Sequence, residues 1–294
     1  MRKDIEASIP TAWRPSNATG PCDTLRDVSA SASPFLPVAL DAARGAGRLL
    51  REELGGVRRI SHKRSIIDLV TEMDQRAERF IVERLLAAFP DHAVLAEESG
   101  ATDGRSEYRW LIDPLDGTTN YAHGLPIFAV SVARARAGTV ELGVAYDPTR
   151  DECFVAQRGG GATLDGEAIR VSRVDTLDQA LLVTGFPYDI RTTGETNLPE
   201  YAALSVRAQA VRRLGSAVLD LCYVACGRLD GFWELALGPW DMAAGGLIVQ
   251  EAGGRVTNVH GGPWRLEGAG VLASNGLVHD AILDGLAATR SARP

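Results

Sequence analysis

Trp110-Leu111-Ile112-Asp113-Pro114-Leu115-Asp116-Gly117-Thr118-Thr119-Asn120-Tyr121-Ala122-His123 decides how the rest of this chain is read. With Tyr108 just ahead, it starts as an apolar strand, and Pro114, which has no N–H to give a sheet, breaks it. Asp116-Gly117 then leads into Thr118-Thr119-Asn120, residues suited to turns and helix N-caps. Asp113 and Asp116, three apart across that turn, can converge at the strand's mouth with the Leu115 carbonyl between them. The N–H groups of Gly117 and Thr118 are free to face a ligand. Carboxylates with a carbonyl make a hard-oxygen site for Mg²⁺, and N–H groups at a helix start receive phosphate. As plain structure, the same stretch is a strand, a turn and a helix capped by Asp. Other stretches have to choose between the two.

Four of them carry acids at the edges of elements. Ala93 to Ala96 is a short apolar strand that runs into Glu97-Glu98-Ser99. Two acids at the end of a buried strand serve folding poorly, which favours one of them as a metal ligand. Thr71 with Asp74 three later forms a capping box with Asp in the Glu place, ahead of a helix that packs through Ala77, Phe80, Ile81, Leu85 and Ala88 and stops at Pro90. Asp74 is there a first-turn acid favoured by the helix dipole, or the holder of a partner such as Thr118. Glu234 ends another short strand. Asp241 follows Trp240 at a helix start, where it reads as an N-cap.

Composition narrows the function classes. The 294 residues can form one large domain or two small ones, and 45% hydrophobic with 23% charged residues is ordinary for a soluble globular protein. A net charge of −7 argues against a nucleic-acid surface and suits a protein that recruits cations, while serving solubility equally. Cys22, Cys153, Cys222 and Cys226 form no CxxC pair, so buried reduced thiols in a cytoplasmic protein are expected rather than a zinc site. No apolar run reaches membrane-span length, and no signal peptide is expected. The five histidines are dispersed, and none pairs with Ser or Cys in a nucleophile elbow.

Residues 1–34, rich in Pro and Ser, read as a flexible extension. A helix over Leu36 to Leu54 ends at Gly55-Gly56. After the central turn, Ile127 to Ala133, Val140 to Tyr146 and Glu152 to Ala156 read as consecutive strands of a largely antiparallel sheet. From Ala180 strands and helices alternate. Leu181 to Thr184 is a strand, Leu198 to Ala210 a helix, Val211 to Leu214 a strand, Ser216 to Gly227 a helix and Gly231 to Glu234 a strand. The helix opened by Gly238-Pro239 closes at Gly253-Gly254, and two more strands and a last helix complete an α/β half. The expected division is a single catalytic domain over 35–290, with an α+β half at 35–178 and an α/β half at 179–290.

Taken together, Glu97-Glu98-Ser99, Asp113-Pro114-Leu115-Asp116-Gly117-Thr118-Thr119-Asn120 and Trp240-Asp241-Met242-Ala243-Ala244-Gly245 resemble the inositol monophosphatase family over residues 36 to 288. The resemblance implies the layered αβαβα fold of the metal-dependent, lithium-sensitive phosphatases. It implies that Glu97, Asp113 and the Leu115 carbonyl hold one Mg²⁺, that Asp113, Asp116 and Asp241 hold a second, and that a weaker third sits near Glu97. It further implies direct attack of a metal-activated water on the phosphoryl group, with Glu97 and Thr118 orienting and deprotonating that water and Asp74 supporting Thr118. The N–H groups of Gly117 and Thr118 would take phosphate oxygens.

Gly215, Ser216, Ala217, Glu234, Asp116 and Asp241 match the positions that meet the polyol. Thr119-Asn120 favours the monophosphatase branch. By resemblance the substrate is inositol-1-phosphate or a related polyol monophosphate and the protein is a homodimer; its charge and the lack of a long apolar run make neither nucleic acid nor membrane an expected partner. Fructose-1,6-bisphosphate, histidinol phosphate and 3′-phosphoadenosine-5′-phosphate are alternatives within the chemistry. A regulatory or binding protein on the same fold is the alternative of another class, and all of its expected ligands being present weighs against it.

Overall fold

Why an acid-rich turn can sit at the centre of a hydrophobic molecule follows from how two sheets are stacked. The computed structural model describes residues 33–56, 60–62, 69–268 and 270–291. The extension expected over 1–34 therefore lies, apart from Ser33 and Pro34, outside the described residues.

Helix α1 (Phe35–Glu52) places Ala39, Ala42, Ala43, Ala46 and Leu50 on one buried face. Strands β1 (Ile60–His62) and β2 (Leu69–Thr71) pair antiparallel and lead into α2 (Glu72–Ala88). Then come β3 (Ala93–Ala96), β4 (Gly100–Thr102), β5 (Tyr108–Asp116) and the short α3 (Thr118–Ala122). The run β6 (Ala129–Arg136), β7 (Thr139–Asp147), β8 (Glu152–Gln157), β9 (Gly161–Leu164) and β10 (Glu167–Ala168) meanders. These build an eight-stranded sheet in the order β10-β9-β8-β7-β6-β5-β3-β4, antiparallel except where β3 runs parallel to β5.

The second half contributes β11 (Leu181–Thr184), α4 (Leu198–Ser205), β12 (Ala210–Arg212), α5 (Ala217–Ala225), β13 (Gly231–Glu234), α6 (Pro239–Glu251), β14 (Arg255–Thr257), β15 (Val271–Ser274) and α7 (His279–Ser291). Its five-stranded sheet has the order β12-β11-β13-β15-β14 and is mixed.

Alternating side chains assign the layers. On β5, Trp110 and Ile112 join the core under α1 and α2, while Leu111 joins the core containing α5 and α6. On the second sheet, Val183 and Phe232 face that same α5–α6 core, and Leu182 and Trp233 face outward onto α4 and α7. The order is α1/α2, large sheet, α5/α6, small sheet, α4/α7: the expected αβαβα stack. Helices α5 and α6 are apolar nearly all round because both of their sides meet a sheet.

Two local expectations are corrected. The strand expected to break at Pro114 instead runs on through a bulge to Asp116. The helix expected to reach Ala210 ends at Ser205, because the Gln209 N–H donates to the Ala180 carbonyl (3.1 Å) and draws the following residues into β12. Among the described residues no helix is long and apolar enough to cross a membrane.

Candidate active site

The parallel pairing of β3 with β5 puts their C-terminal ends on one edge. Ala96 is opposite Ile112, so Glu97 follows β3 beside Asp113, and the Glu97 N–H donates to the Ile112 carbonyl at 3.1 Å. Along β5, Asp113 faces Ser131 and Asp116 faces Ala129, three residues against two. In an unbroken strand, positions three apart point to opposite faces; the extra residue of the bulge at Pro114-Leu115 lets Asp113 and Asp116 serve one site. Proline is tolerated there because the bulge does not need its N–H.

Gly117 turns the chain out of β5 with φ +101°, and a Cβ on it would lie 2.9 Å from the Ile127 carbonyl oxygen. Both facts restrict this position to glycine. The Asn120 side-chain amide then gives its two protons to the carbonyls of Ile127 (2.9 Å) and Leu214 (2.8 Å), tying the turn to the second half of the chain.

Asp116 and Asp113 are both buried but differently supported. Asp116 accepts from the Ser216 hydroxyl (2.7 Å) and the N–H groups of Ala217 (3.1 Å) and Val218 (2.6 Å), at the N-terminus of α5 where anions are favoured. Burial nevertheless raises its pKa to about 6, against the lowering by those bonds. Asp113 has one backbone donor, the Leu115 N–H at 2.9 Å, and burial followed by Glu97, Asp116 and Asp241 holds its pKa well above the carboxylate range. Asp241 is raised well above that range as well, by burial and then by Glu97 and Asp116. The charges that act most on Asp113 and Asp241 are thus other carboxylates, and this group of hard oxygens fits divalent cations. Among the described residues, no three Asp, Glu, His or Cys side chains already close into a coordination shell.

Asp74, at the head of α2, does both of the things its position allowed. Its Oδ2 accepts from the Thr71 N–H (2.8 Å) and hydroxyl (2.6 Å), while its Oδ1 accepts from the Thr118 hydroxyl (2.8 Å). The Leu115 carbonyl is 3.0 Å from the same Thr118 Oγ. A hydroxyl has one proton, and the carboxylate is the stronger acceptor. Thr118 Oγ and the Leu115 oxygen are then left as two adjacent acceptors, an arrangement suited to a water proton and a cation. Burial is the main influence that raises the Asp74 pKa.

The second half closes the site. Asp241 is not the N-cap it was read to be: Gly238 holds that place, and Asp241, three residues in, accepts the Gly238 N–H at 2.6 Å. The Ser131 hydroxyl, opposite Asp113, donates to the Trp240 carbonyl (3.1 Å) and so pins Asp241 to the large sheet. Glu234 ends β13 beside the end of β11, and its carboxyl lies against Gly185, where a Cβ would overlap it. Burial raises Glu234 to about 8, with Arg213 opposing and Asp116 adding to the shift. Of the residues assigned to the polyol, Ser216 and Ala217 have their donors turned to Asp116.

Four residues escaped the sequence reading. Arg213 acts on both Glu234 and the buried Asp220. Tyr188 is 41% exposed at its rim, while its phenol is shielded enough for desolvation, and then Glu97, Asp241, Asp116 and Asp113, to raise it, which puts it near the same carboxylates. Asp220 is buried on α5 with its Oδ1 unpartnered. Glu78 on α2 accepts the N–H groups of Glu98 and Ser99. Only Asp220 had a signal in the sequence, an acid on a helix that is otherwise apolar. A groove lined by Ala93, Leu95, Tyr108, Leu111 and Leu266 opens at the other end of β5, away from these groups.

The chain is similar to known proteins both in sequence and in fold. The profile of the inositol monophosphatase family matches residues 31–293. The chain is 46% identical to an inositol-1-monophosphatase of Synechocystis sp. over 256 residues, covering 87% of this chain and 89% of the relative. It is 46% identical to the Nus factor SuhB of Pseudomonas aeruginosa, covering 85% of this chain and 94% of that one. The solved inositol monophosphatase of Anabaena (Nostoc) sp. superposes with a TM-score of 0.79 at 43% identity, over 86% of this chain and 95% of that structure.

Proposed function

This chain belongs to the inositol monophosphatase family, and is by that kinship a phosphatase; from that premise we propose that it is a Mg²⁺-dependent phosphomonoesterase of inositol-1-phosphate or a related polyol monophosphate. The observation that carries the reading is the set of buried Asp113 and Asp116 with half-buried Asp241, raised first by desolvation and, for Asp113 and Asp241, then by neighbouring carboxylates, Glu97 among them, beside the Thr118–Asp74 pair.

Glu97, Asp113 and the Leu115 carbonyl would hold one Mg²⁺, and Asp113, Asp116 and Asp241 a second, with a weaker third near Glu97. Bound there, the ions supply positive charge that neutralises phosphoryl oxygens and acidifies a water. Glu97 and Thr118 orient the attacking water. Thr118 Oγ receives its proton while passing its own to Asp74 Oδ1, 2.8 Å away, which the two Thr71 bonds keep turned toward it. The N–H groups of Gly117 and Thr118, at the open end of α3, hold phosphate oxygens. Glu234, Gly215, Ser216, Ala217 and Asp241 line the side on which the polyol enters.

Residues 35–290 work in this scheme as one catalytic unit: Asp113 and Asp116 come from one half, Asp241 and the donors to Asp116 from the other. The protein is proposed to be a homodimer. A regulatory role beside catalysis is the second reading, favoured by the relatives named Nus factor SuhB. Affinity capture with the full chain and with a chain lacking residues 1–34 tests it. Release of phosphate from inositol-1-phosphate tests the leading reading. Release that stops in EDTA and returns with Mg²⁺ supports it, and release indifferent to EDTA refutes it.

A further inference from the structure

Glu78 stands one turn after Asp74 on α2, on the same side of the helix. It is 4% exposed. Among the described residues its carboxylate pairs with no side-chain cation; Oε2 accepts the Glu98 N–H and Oε1 the Ser99 N–H, both at 2.8 Å. The preceding N–H, that of Glu97, donates to Ile112 on β5. Three successive peptide N–H groups are therefore fixed, the first by the sheet and the next two by one buried carboxylate. Between those anchors is the Cα of Glu97. Burying a carboxylate is costly unless its oxygens are bonded, and two charge-assisted N–H bonds offset that cost. An amide could supply one acceptor only. The position thus demands an acid for a purpose other than solvation, and what it holds is the turn that carries Glu97.

We propose that Glu78 is a positioning residue for Glu97: by clamping the Glu98 and Ser99 amides it fixes the direction in which the Glu97 carboxylate enters the site, and thereby sets the affinity for divalent cation. This rests on the reading of Glu97 as a ligand. Helix α2 then organises both turns of the site from one stripe, Thr118 through Asp74 and Glu97 through Glu78.

The test compares wild type, Glu78→Gln and, as a control on the exposed face of the same helix, Glu83→Gln. Glu78→Gln keeps the shape but turns one acceptor into a donor that faces an N–H. Mn²⁺ is titrated calorimetrically into each metal-free protein, and amide exchange is followed at residues 97–99 in the same metal-free samples. The expected result is Mn²⁺ binding about tenfold weaker in Glu78→Gln, the usual scale for a group that orients a ligand, with faster exchange at Glu98 and Ser99. The Mg²⁺ concentration for half-maximal hydrolysis should rise while the substrate KM stays put; Glu83→Gln should match wild type throughout. Wild-type Mn²⁺ affinity in Glu78→Gln overturns the proposal. If wild type itself binds no Mn²⁺, the metal reading falls and the proposal falls with it, a result distinct from the first. Glu78→Asp, which withdraws the carboxylate by one methylene, should weaken Mn²⁺ in the same direction and replaces Glu78→Gln if that variant does not fold.

Discussion

Replacing Glu234 by Gln should stabilise the metal-free protein, and by an amount that grows with pH. In the folded chain the Glu234 carboxyl is raised from 4.5 to about 8, chiefly by burial and also by Asp116. A carboxyl that binds its proton more tightly when folded stabilises the fold fully below its unfolded pKa, and that stabilisation is lost as pH rises through the folded value. The gap between 4.5 and about 8 corresponds to at most about 5 kcal/mol over the whole range. Roughly 3 kcal/mol of it is lost by pH 7. Gln has no proton to lose, so it avoids this penalty. Removing the charge also relieves the buried Asp220, on which Glu234 acts, and that effect has the same sign. Urea unfolding of both proteins in EDTA at pH 5, 6, 7 and 8 measures the difference. The Glu234→Gln advantage should be near its minimum at pH 5 and grow by a few kcal/mol by pH 8. A constant difference from pH 5 to 8 would refute the reasoning, and would mean that Glu234 ionises as freely in the folded chain as in the unfolded one.

Asp113→Asn should abolish Mg²⁺-dependent phosphate release while circular dichroism shows an unchanged fold; full residual activity counts against Asp113 as a shared ligand. Thr118→Val, which keeps the shape but removes the hydroxyl bonded to Asp74, should lower kcat by about 10²–10⁴, whereas Thr118→Ser should retain most activity; equal rates for the two variants would exclude the proton route through Thr118 Oγ. Asn120→Ala leaves the Ile127 and Leu214 carbonyls without their amide donor and should cost about 2–3 kcal/mol, read as a lower urea midpoint; an unchanged midpoint would show that the turn is held by other bonds.

The parts of the site that lie on one continuous stretch were legible in the sequence. Asp113, the Leu115 carbonyl, Asp116 and Gly117 are neighbours in the chain, and the alternation of apolar and turn residues around them places a strand end without further information. Pro114 was legible as an interruption but not as a bulge, since whether a strand resumes after a proline depends on the partner strand, here β6 with Ala129 opposite Asp116. The Thr71–Asp74 capping box was visible, and its second task, holding Thr118, depended on a tertiary contact across 44 residues. Asp241 was misplaced by three positions because Trp240-Asp241 resembles a cap, whereas Gly238-Pro239 begins the helix. Glu78 was invisible for a plain reason: an acid on an amphipathic helix is usually solvated, and its partners are backbone N–H groups that leave no trace in residue identity. Tyr188 reaches the site from a loop whose course no periodicity describes, and Arg213, expected inside a strand over Val211 to Leu214, instead follows the end of β12 at Arg212.

Phosphate release from a panel of inositol-1-phosphate, fructose-1,6-bisphosphate, histidinol phosphate and 3′-phosphoadenosine-5′-phosphate, each with Mg²⁺, with EDTA and with added Li⁺, tests the central claim most directly. The account predicts that inositol-1-phosphate or another polyol monophosphate dominates, that EDTA silences release and that Li⁺ inhibits it. Release that persists in EDTA, or no release from any substrate in the presence of Mg²⁺, would contradict it.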